Sequence, residues 1–224
     1  MQAREKLPML VYIVESPSPQ DVYDGVSEGS LLSGAASLER IPSVVRTVTN
    51  LDKLHRALTL DLAQAVQHYS RKPILHISAH GATTGIQLTD GGHVSWEQLA
   101  EWLRVINKAM NGYLLLCLSA CHGFSACTVA LQGDEDDAPY FAIVSNRGTP
   151  TWSETAVGYM TFYHQMANHV LVPAAVEAMK TASMNEDWDH LTSKTARAAW
   201  AWHLSRNQAE EAQSQLRERG PDLG

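Results

Sequence analysis

Five short apolar runs, separated by stretches of helical periodicity, constrain the fold of this chain more than any other feature. Pro8–Glu15, Ser43–Val48, Ile74–Ala79, Tyr113–Leu118 and Tyr140–Ser145 are dominated by apolar residues, the pattern of strands buried on both faces. Between the second and third, Leu51, Leu54, Leu58, Leu62 and Val66 recur at steps of three and four and predict a helix. The box Thr49-Asn50-Leu51-Asp52 predicts its cap, and Arg71-Lys72-Pro73 its end. Ser95-Trp96-Glu97-Gln98 caps another helix, with Trp96, Leu99, Leu103, Ile106 and Met110 on its inner side. Gly85–Val94, with Asp90-Gly91 inside it, reads as a hairpin. A helix of small residues is expected over Phe124–Leu131. Beyond Ser153 three more are expected, over Thr155–His169, Pro173–Thr181 and from Trp188 to about Arg217. Ser16–Ser37, rich in Ser, Gly, Pro and Asp, reads as one long loop. Strands alternating with helices give an α/β fold whose mostly parallel central sheet is covered on both faces.

At 224 residues the chain is long enough for one large domain with a real core. Acids outnumber bases, 24 to 17, and no run of Lys or Arg is present, which argues against nucleic-acid or anionic-membrane binding. No apolar run approaches the roughly 20 residues that span a bilayer. The start of the chain shows no secretion signal, and three cysteines are too few for a disulfide scaffold. A cytoplasmic protein is expected.

Chemistry concentrates at two strand ends. Ile74–Ala79 runs into His80-Gly81, and Tyr113–Leu118 runs into Ser119-Ala120-Cys121-His122-Gly123. The hairpin and helix between them form a crossover, so the two strands run parallel and end on the same sheet edge. Neighbouring strands lie about 4.8 Å apart, and open α/β sheets place their active sites at the carboxyl ends of strands. An imidazole and a thiol are therefore expected to meet there. His80 would deprotonate Cys121 and then protonate the leaving amine, while the amides of Gly81 and Cys121 would receive an oxyanion. Gly81 leaves room for the substrate. Cys117 reads as packing, and Cys127 as helix packing. His76 and His80, four residues apart on a strand, are separated by roughly 13 Å, too far to share one zinc, so no metal is expected.

With these residues in view, the sequence resembles the caspase-like cysteine proteases, whose Ala-Cys-x-Gly signature and upstream histidine match Ala120-Cys121-His122-Gly123 and His80. Within them it is most similar to the CHAT proteases, relatives of separase. Ser78-Ala79-His80-Gly81 and Leu118-Ser119-Ala120-Cys121 match their two characteristic segments. Ala142-Ile143-Val144-Ser145, Trp152, Phe162-Tyr163 and Pro173–Ala178 continue the likeness over roughly Leu7 to Ser183. Departures fall at His122-Gly123-Phe124 and Ser153-Glu154, where an acid and a small residue, and an acid, are usual; they bear on substrate preference. The resemblance implies a caspase-like sandwich over residues 1–183 with a helical extension over 184–224. It also implies cleavage of a protein substrate by a Cys-His dyad, without metal or organic cofactor. It further implies a latent enzyme released by a sensor or partner acting in trans, and a setting in prokaryotic antiviral defence or cell death.

Substrate-binding candidates are the residues placed by sequence near the same edge: Glu15, Asp24, His122, Asn146 and Arg147. Acids there, including Asp21 and Glu28, would select Arg or Lys before the cut, whereas an inward Arg147 would select Asp or Glu. The basic choice is slightly favoured. Asp134–Asp137 reads either as an acidic surface loop or as an activation linker. Trp188, Leu191, Ala198 and Trp202 read as one stripe of the last helix, with Trp200 off it. Two other readings stay open: a catalytically silent interaction module, and a thioesterase or amidase using the same dyad.

Overall fold

Strand β1 (Met9–Ser16) is buried along its whole length and forms the centre of one half of the sheet. It pairs in parallel with β2 (Ser43–Thr47) on one side and β3 (Lys72–Ala82) on the other. β3 then pairs in parallel with β6 (Leu115–Ser119), and β6 with β7 (Ala142–Asn146). The last strand, β8 (Trp188–Thr192), lies antiparallel to β7, giving the order β2-β1-β3-β6-β7-β8. The structure, a computed structural model, describes residues 8–131 and 137–198.

Side chains alternate across this sheet as strand geometry requires. Leu10, Tyr12, Val14, Leu75, Ile77, Leu116 and Leu118 point to one layer, built from α3 (Leu51–Arg56), a π turn (Ala57–Asp61), α4 (Leu62–Tyr69) and α5 (Trp96–Ala109). Met9, Val11, Ile13, Ile74, Cys117 and Val144 point to the other, built from α2 (Glu28–Leu38), α6 (Trp152–Ala167) and α7 (Val172–Ser183). The α/β fold with a mostly parallel sheet flanked by helices is therefore as the periodicity predicts. The hairpin β4 (Gly85–Gln87) and β5 (His93–Ser95) attaches to the far end of β3, where pairing becomes antiparallel.

Several expectations need correction. The stretch expected as a loop over Ser16–Ser37 contains α1 (Pro19–Tyr23) and α2. Ser18 caps α1 in a reciprocal box with Asp21, and the Ser27 hydroxyl caps α2 by accepting from the Ser30 amide. Small residues disguised α2, whose buried residues are the polar Glu28, Gly29, Leu32 and Ala36. The cap of α3 is Asn50, accepting from the Lys53 amide, rather than the Thr49–Asp52 box. The helix expected over Phe124–Leu131 is present, as a 3₁₀ helix over Gly123–Leu131. The helix expected from Trp188 begins instead as β8: the exposed edge of β7 offered a ladder of backbone partners, and that overrode a helical spacing. Trp200, Trp202 and residues 134–136 of the acidic loop lie outside the described residues. Among the described residues, no helix is long and apolar enough to cross a membrane.

Candidate active site

The register of β3 and β6 sets the geometry. Ser78 stands opposite Ser119, and continuing the alternation by two residues puts His80 and Cys121 on the same side of the sheet, towards α2 and α6. The two side chains line one cleft of about 290 Å³ at the carboxyl end of the strands. Ser119, Trp152 and Thr155 form other parts of its wall. The His80 side chain is 46% exposed and Cys121 is half-buried, so both are reachable from solvent. A larger concavity of about 730 Å³ opens at the amino end of the sheet, around Lys108, Asn111, Phe141 and Lys194, and has no thiol in its wall.

His80 is held on two sides. Its Nε2 lies 3.4 Å from Asp21 Oδ2, and its ring meets the Trp152 indole edge-on at 5.9 Å. Asp21 is itself fixed, because Oδ2 accepts from the Ser18 hydroxyl at 2.6 Å and the Ser18 amide at 3.0 Å. The Ser18 hydroxyl chiefly, helped by the Ser18 amide and the His80 ring, outweighs the opposing effect of burial and holds the Asp21 carboxyl below the usual carboxylate range.

On the thiol side the chain turns sharply. His122 adopts a left-handed conformation, φ 53°, and its amide donates to the Gly148 carbonyl at 2.7 Å. The Gly123 amide donates back to Ala120 at 3.0 Å, closing the turn. Gly81 packs directly on this turn: a Cβ there would sit 2.3 Å from the Cys121 carbonyl oxygen and 2.9 Å from its nitrogen. The space that Gly81 leaves is thus filled by the backbone of Cys121, a correction to its expected role in admitting substrate.

Beneath the cleft lies a polar cluster joined by Glu28. Its carboxylate accepts from Ser78 at 2.5 Å and from Ser119 at 2.9 Å, two residues before His80 and Cys121 respectively. His76 Nε2 is 3.8 Å from Oε2, and Nδ1 of the same ring bonds the Tyr163 hydroxyl at 2.7 Å. Burial raises the carboxyl's pKa, but the His76 ring and the two serine hydroxyls more than offset this and leave Glu28 below the usual carboxylate range.

The remaining candidates fall outside the cleft wall. Glu15 is buried with its carboxylate taken by Ser27, the Gly29 amide and Thr47, so it anchors the start of α2. Asp24 is exposed at the end of α1, accepting from Gln20. Asn146 is buried and braces the following loop through the Gly148 amide and Asn185. Arg147 turns to Asp189 and lies over the Phe124 ring at 4.3 Å. His122 is on the turn, next to the thiol but absent from the cleft wall. Sequence reasoning passed over Asp21 as a contact of His80. The Ser18-x-x-Asp21 capping pattern was the signal that a helix, and hence a fixed carboxylate, stood there. Among the described residues, no three His, Cys, Asp or Glu side chains are grouped to hold a metal ion.

The chain matches no protein-family model and no curated protein. Solved structures do resemble it. The crystal structure of the Arg specific cysteine proteinase gingipain R superposes with a TM-score of 0.54 at 10% identity, covering 85% of this chain and 47% of that one. The complex of the Porphyromonas gingivalis RgpB pro- and mature domains gives 0.53 at 11% identity, covering 83% and 47%. The chain spans about half the length of these proteins. At such identity the likeness speaks to fold alone, and the fold is caspase-like.

Proposed function

We propose that this chain is a cysteine endopeptidase in which Cys121 is the nucleophile and His80 the general base and acid. The observation that carries the reading is that both side chains line one solvent-open cleft at the carboxyl ends of adjacent parallel strands. In the first half-reaction His80 takes the thiol proton and the sulfur attacks the scissile carbonyl carbon. The carbonyl electron pair moves onto oxygen, and the amides of Gly81 and Cys121 receive that oxyanion. Collapse of the tetrahedral species breaks the C–N bond, and the imidazolium gives its proton to the departing amine. Water, deprotonated by the same ring, then releases the acid and regenerates the thiol. Asp21 and Trp152 orient the ring. No step calls for a metal or organic cofactor.

The finer reading is a CHAT-type peptidase, and the resemblance of Ser78–Gly81 and Leu118–Cys121 to that family supports it. On the same footing we place it in a prokaryotic cytoplasm, kept latent until a sensor or partner protein acts on it, in antiviral defence or cell-death signalling. Its partners are then a protein substrate and a regulator in trans. Comparing new chain ends in cells expressing the wild type and Cys121→Ala tests the assignment. Cleavages present in the wild type and lost in both Cys121→Ala and His80→Ala are expected. Hydrolysis of small thioesters or amides without any peptide cleavage would favour the thioesterase or amidase reading. A silent interaction module would leave Cys121 unlabelled by electrophilic peptides.

A further inference from the structure

Resting on the peptidase reading, we infer that Glu28 is a positioning residue: its carboxylate clasps both strands that carry the dyad and fixes where His80 and Cys121 stand relative to each other. Oε2 accepts from the Ser78 hydroxyl at 2.5 Å, and Oε1 accepts from the Ser119 hydroxyl at 2.9 Å. Ser78 and Ser119 are partners in the parallel register of β3 and β6, and they form its last pair. Beyond them the two strands part. From His80 onward β3 pairs with the hairpin, and β6 ends at Ser119, before the turn at Cys121. The clasp therefore sits where the sheet stops holding the two arms together, and each arm runs only two residues further to its reacting side chain.

Glu28 can act this way because it is itself held from the opposite direction. It is the first residue of α2, and Ser27, the cap of that helix, gives its hydroxyl to Glu15 on β1. The Gly29 amide donates to the same Glu15 carboxylate at 2.8 Å. Gly29 also packs so closely that a Cβ there would sit 2.8 Å from both Glu15 Oε2 and Val45 Cγ1. The residues on either side of Glu28 are thus pinned to β1 and β2, and its side chain reaches β3 and β6 from a rigid mount. A carboxylate in this place is informative. At 4% exposure it gives up hydration that an apolar side chain would not lose, and accepting from two hydroxyls on two strands offsets that cost. A displacement of about 1 Å between reacting groups can lower a rate on the order of a hundred-fold. A support placed two residues behind both reacting side chains therefore acts on the chemical step more than on substrate affinity.

Peptidyl acyloxymethyl ketones, which alkylate a catalytic thiol irreversibly, test this on the intact chain. A set with basic, neutral and acidic terminal residues is used, and Cys121 labelling is read by mass spectrometry as separate kinact and KI. Glu28→Ala is expected to lower kinact about ten-fold or more, with KI changed by less than about three-fold. Glu28→Gln keeps a side chain able to bond both hydroxyls and is expected to restore kinact to within about three-fold of the wild type. Ser78→Ala and Ser119→Ala each release one strand and should lower kinact less than Glu28→Ala does. Adding both to Glu28→Ala should lower it no further, because all three changes break one clasp. Folded protein, judged by circular dichroism at the assay temperature, is compared throughout; should Glu28→Ala not fold, the two serine variants decide. An unchanged kinact, a loss confined to KI, or a Glu28→Gln loss as large as that of Glu28→Ala overturns the positioning role and leaves the peptidase reading in place. Failure of every reagent to label Cys121 in the wild type overturns the peptidase reading and this inference with it.

Discussion

His80 and Asp21, 59 residues apart in sequence, meet with Nε2 3.4 Å from Oδ2. Asp21 is immobilised by Ser18 at the start of a five-residue helix that buries none of its own side chains. The carboxylate therefore orients the ring from a support tied down chiefly by its cap. Asp21→Ala is expected to lower peptidase kcat about ten-fold with little change in KM, the pattern of a misplaced general base. Ser18→Ala is expected to do the same more weakly. A change confined to KM would count against an orienting role.

The three thiols should differ sharply towards iodoacetamide. Burial raises the Cys117 thiol pKa far beyond its ordinary value, with the Tyr163 hydroxyl only partly opposing it, and burial also raises that of Cys127. Cys121 is half-exposed in the cleft wall. Peptide mapping of the native protein should find Cys121 modified first, Cys127 slowly, and Cys117 only after unfolding. Early modification of Cys117 would mean that the core between β6 and α6 opens readily.

Two glycines near the site should respond differently to a methyl group. At Gly81 the new carbon would meet the Cys121 backbone at 2.3 Å, and backbone cannot move aside. At Gly123 the nearest atom, at 2.4 Å, is the Ser145 hydroxyl, a side chain whose displacement gives up its buried bond to the Leu118 carbonyl but needs no backbone shift. Gly81→Ala is expected to cost about 1–3 kcal/mol, as overpacking does, and to abolish activity. Gly123→Ala should cost less, measured by urea denaturation.

Glu28 gives stability a pH dependence whose sign follows from its environment. Its folded-state pKa is depressed, so the folded chain binds fewer protons there than the unfolded one. The stabilisation is complete above the unfolded carboxylate value of about 4.3 and fades as pH falls through the lower folded value. The resistance of the wild type to urea should fall as pH drops below about 5, and Glu28→Gln should flatten that slope.

Trp188 tests the antiparallel edge. Its ring is 1% exposed, meets Tyr159 edge-on at 5.2 Å, and donates its N–H to Ser183 at 2.9 Å. Trp188→Ala should cost about 3–5 kcal/mol. Hydrogen exchange should then show β8 opening while β1 and β3 stay protected.

The parallel part of the sheet was legible because its strands are continuously apolar and the helices between them are amphipathic. β1, β3, β6 and α5 follow directly from such patterns. So did the shared edge of His80 and Cys121, since a crossover leaves little freedom in where two adjacent parallel strands end. What stayed hidden depends on partners remote in sequence. Glu28 meets Ser78 and Ser119 across 50 and 91 residues, and it lay in a stretch whose Ser and Gly content imitates a loop. Trp188 and Leu191 are spaced as on a helix, and only the free edge of β7 makes them a strand. Arg147 was placed correctly beside the edge, but its direction was decided by Asp189, which no local pattern announces.

The switch in pairing along β3 has a mechanical consequence. Up to Ala79 the strand is clamped in parallel on β1, and from His80 it continues in antiparallel pairing with the hairpin. The imidazole is therefore mounted on an uninterrupted beam rooted in the interior, whereas the sulfur rides on a bend braced by Gly148. Beyond Ser119, any displacement of the sulfur relative to the ring is therefore resisted chiefly by that one hydrogen bond between His122 and the loop after β7.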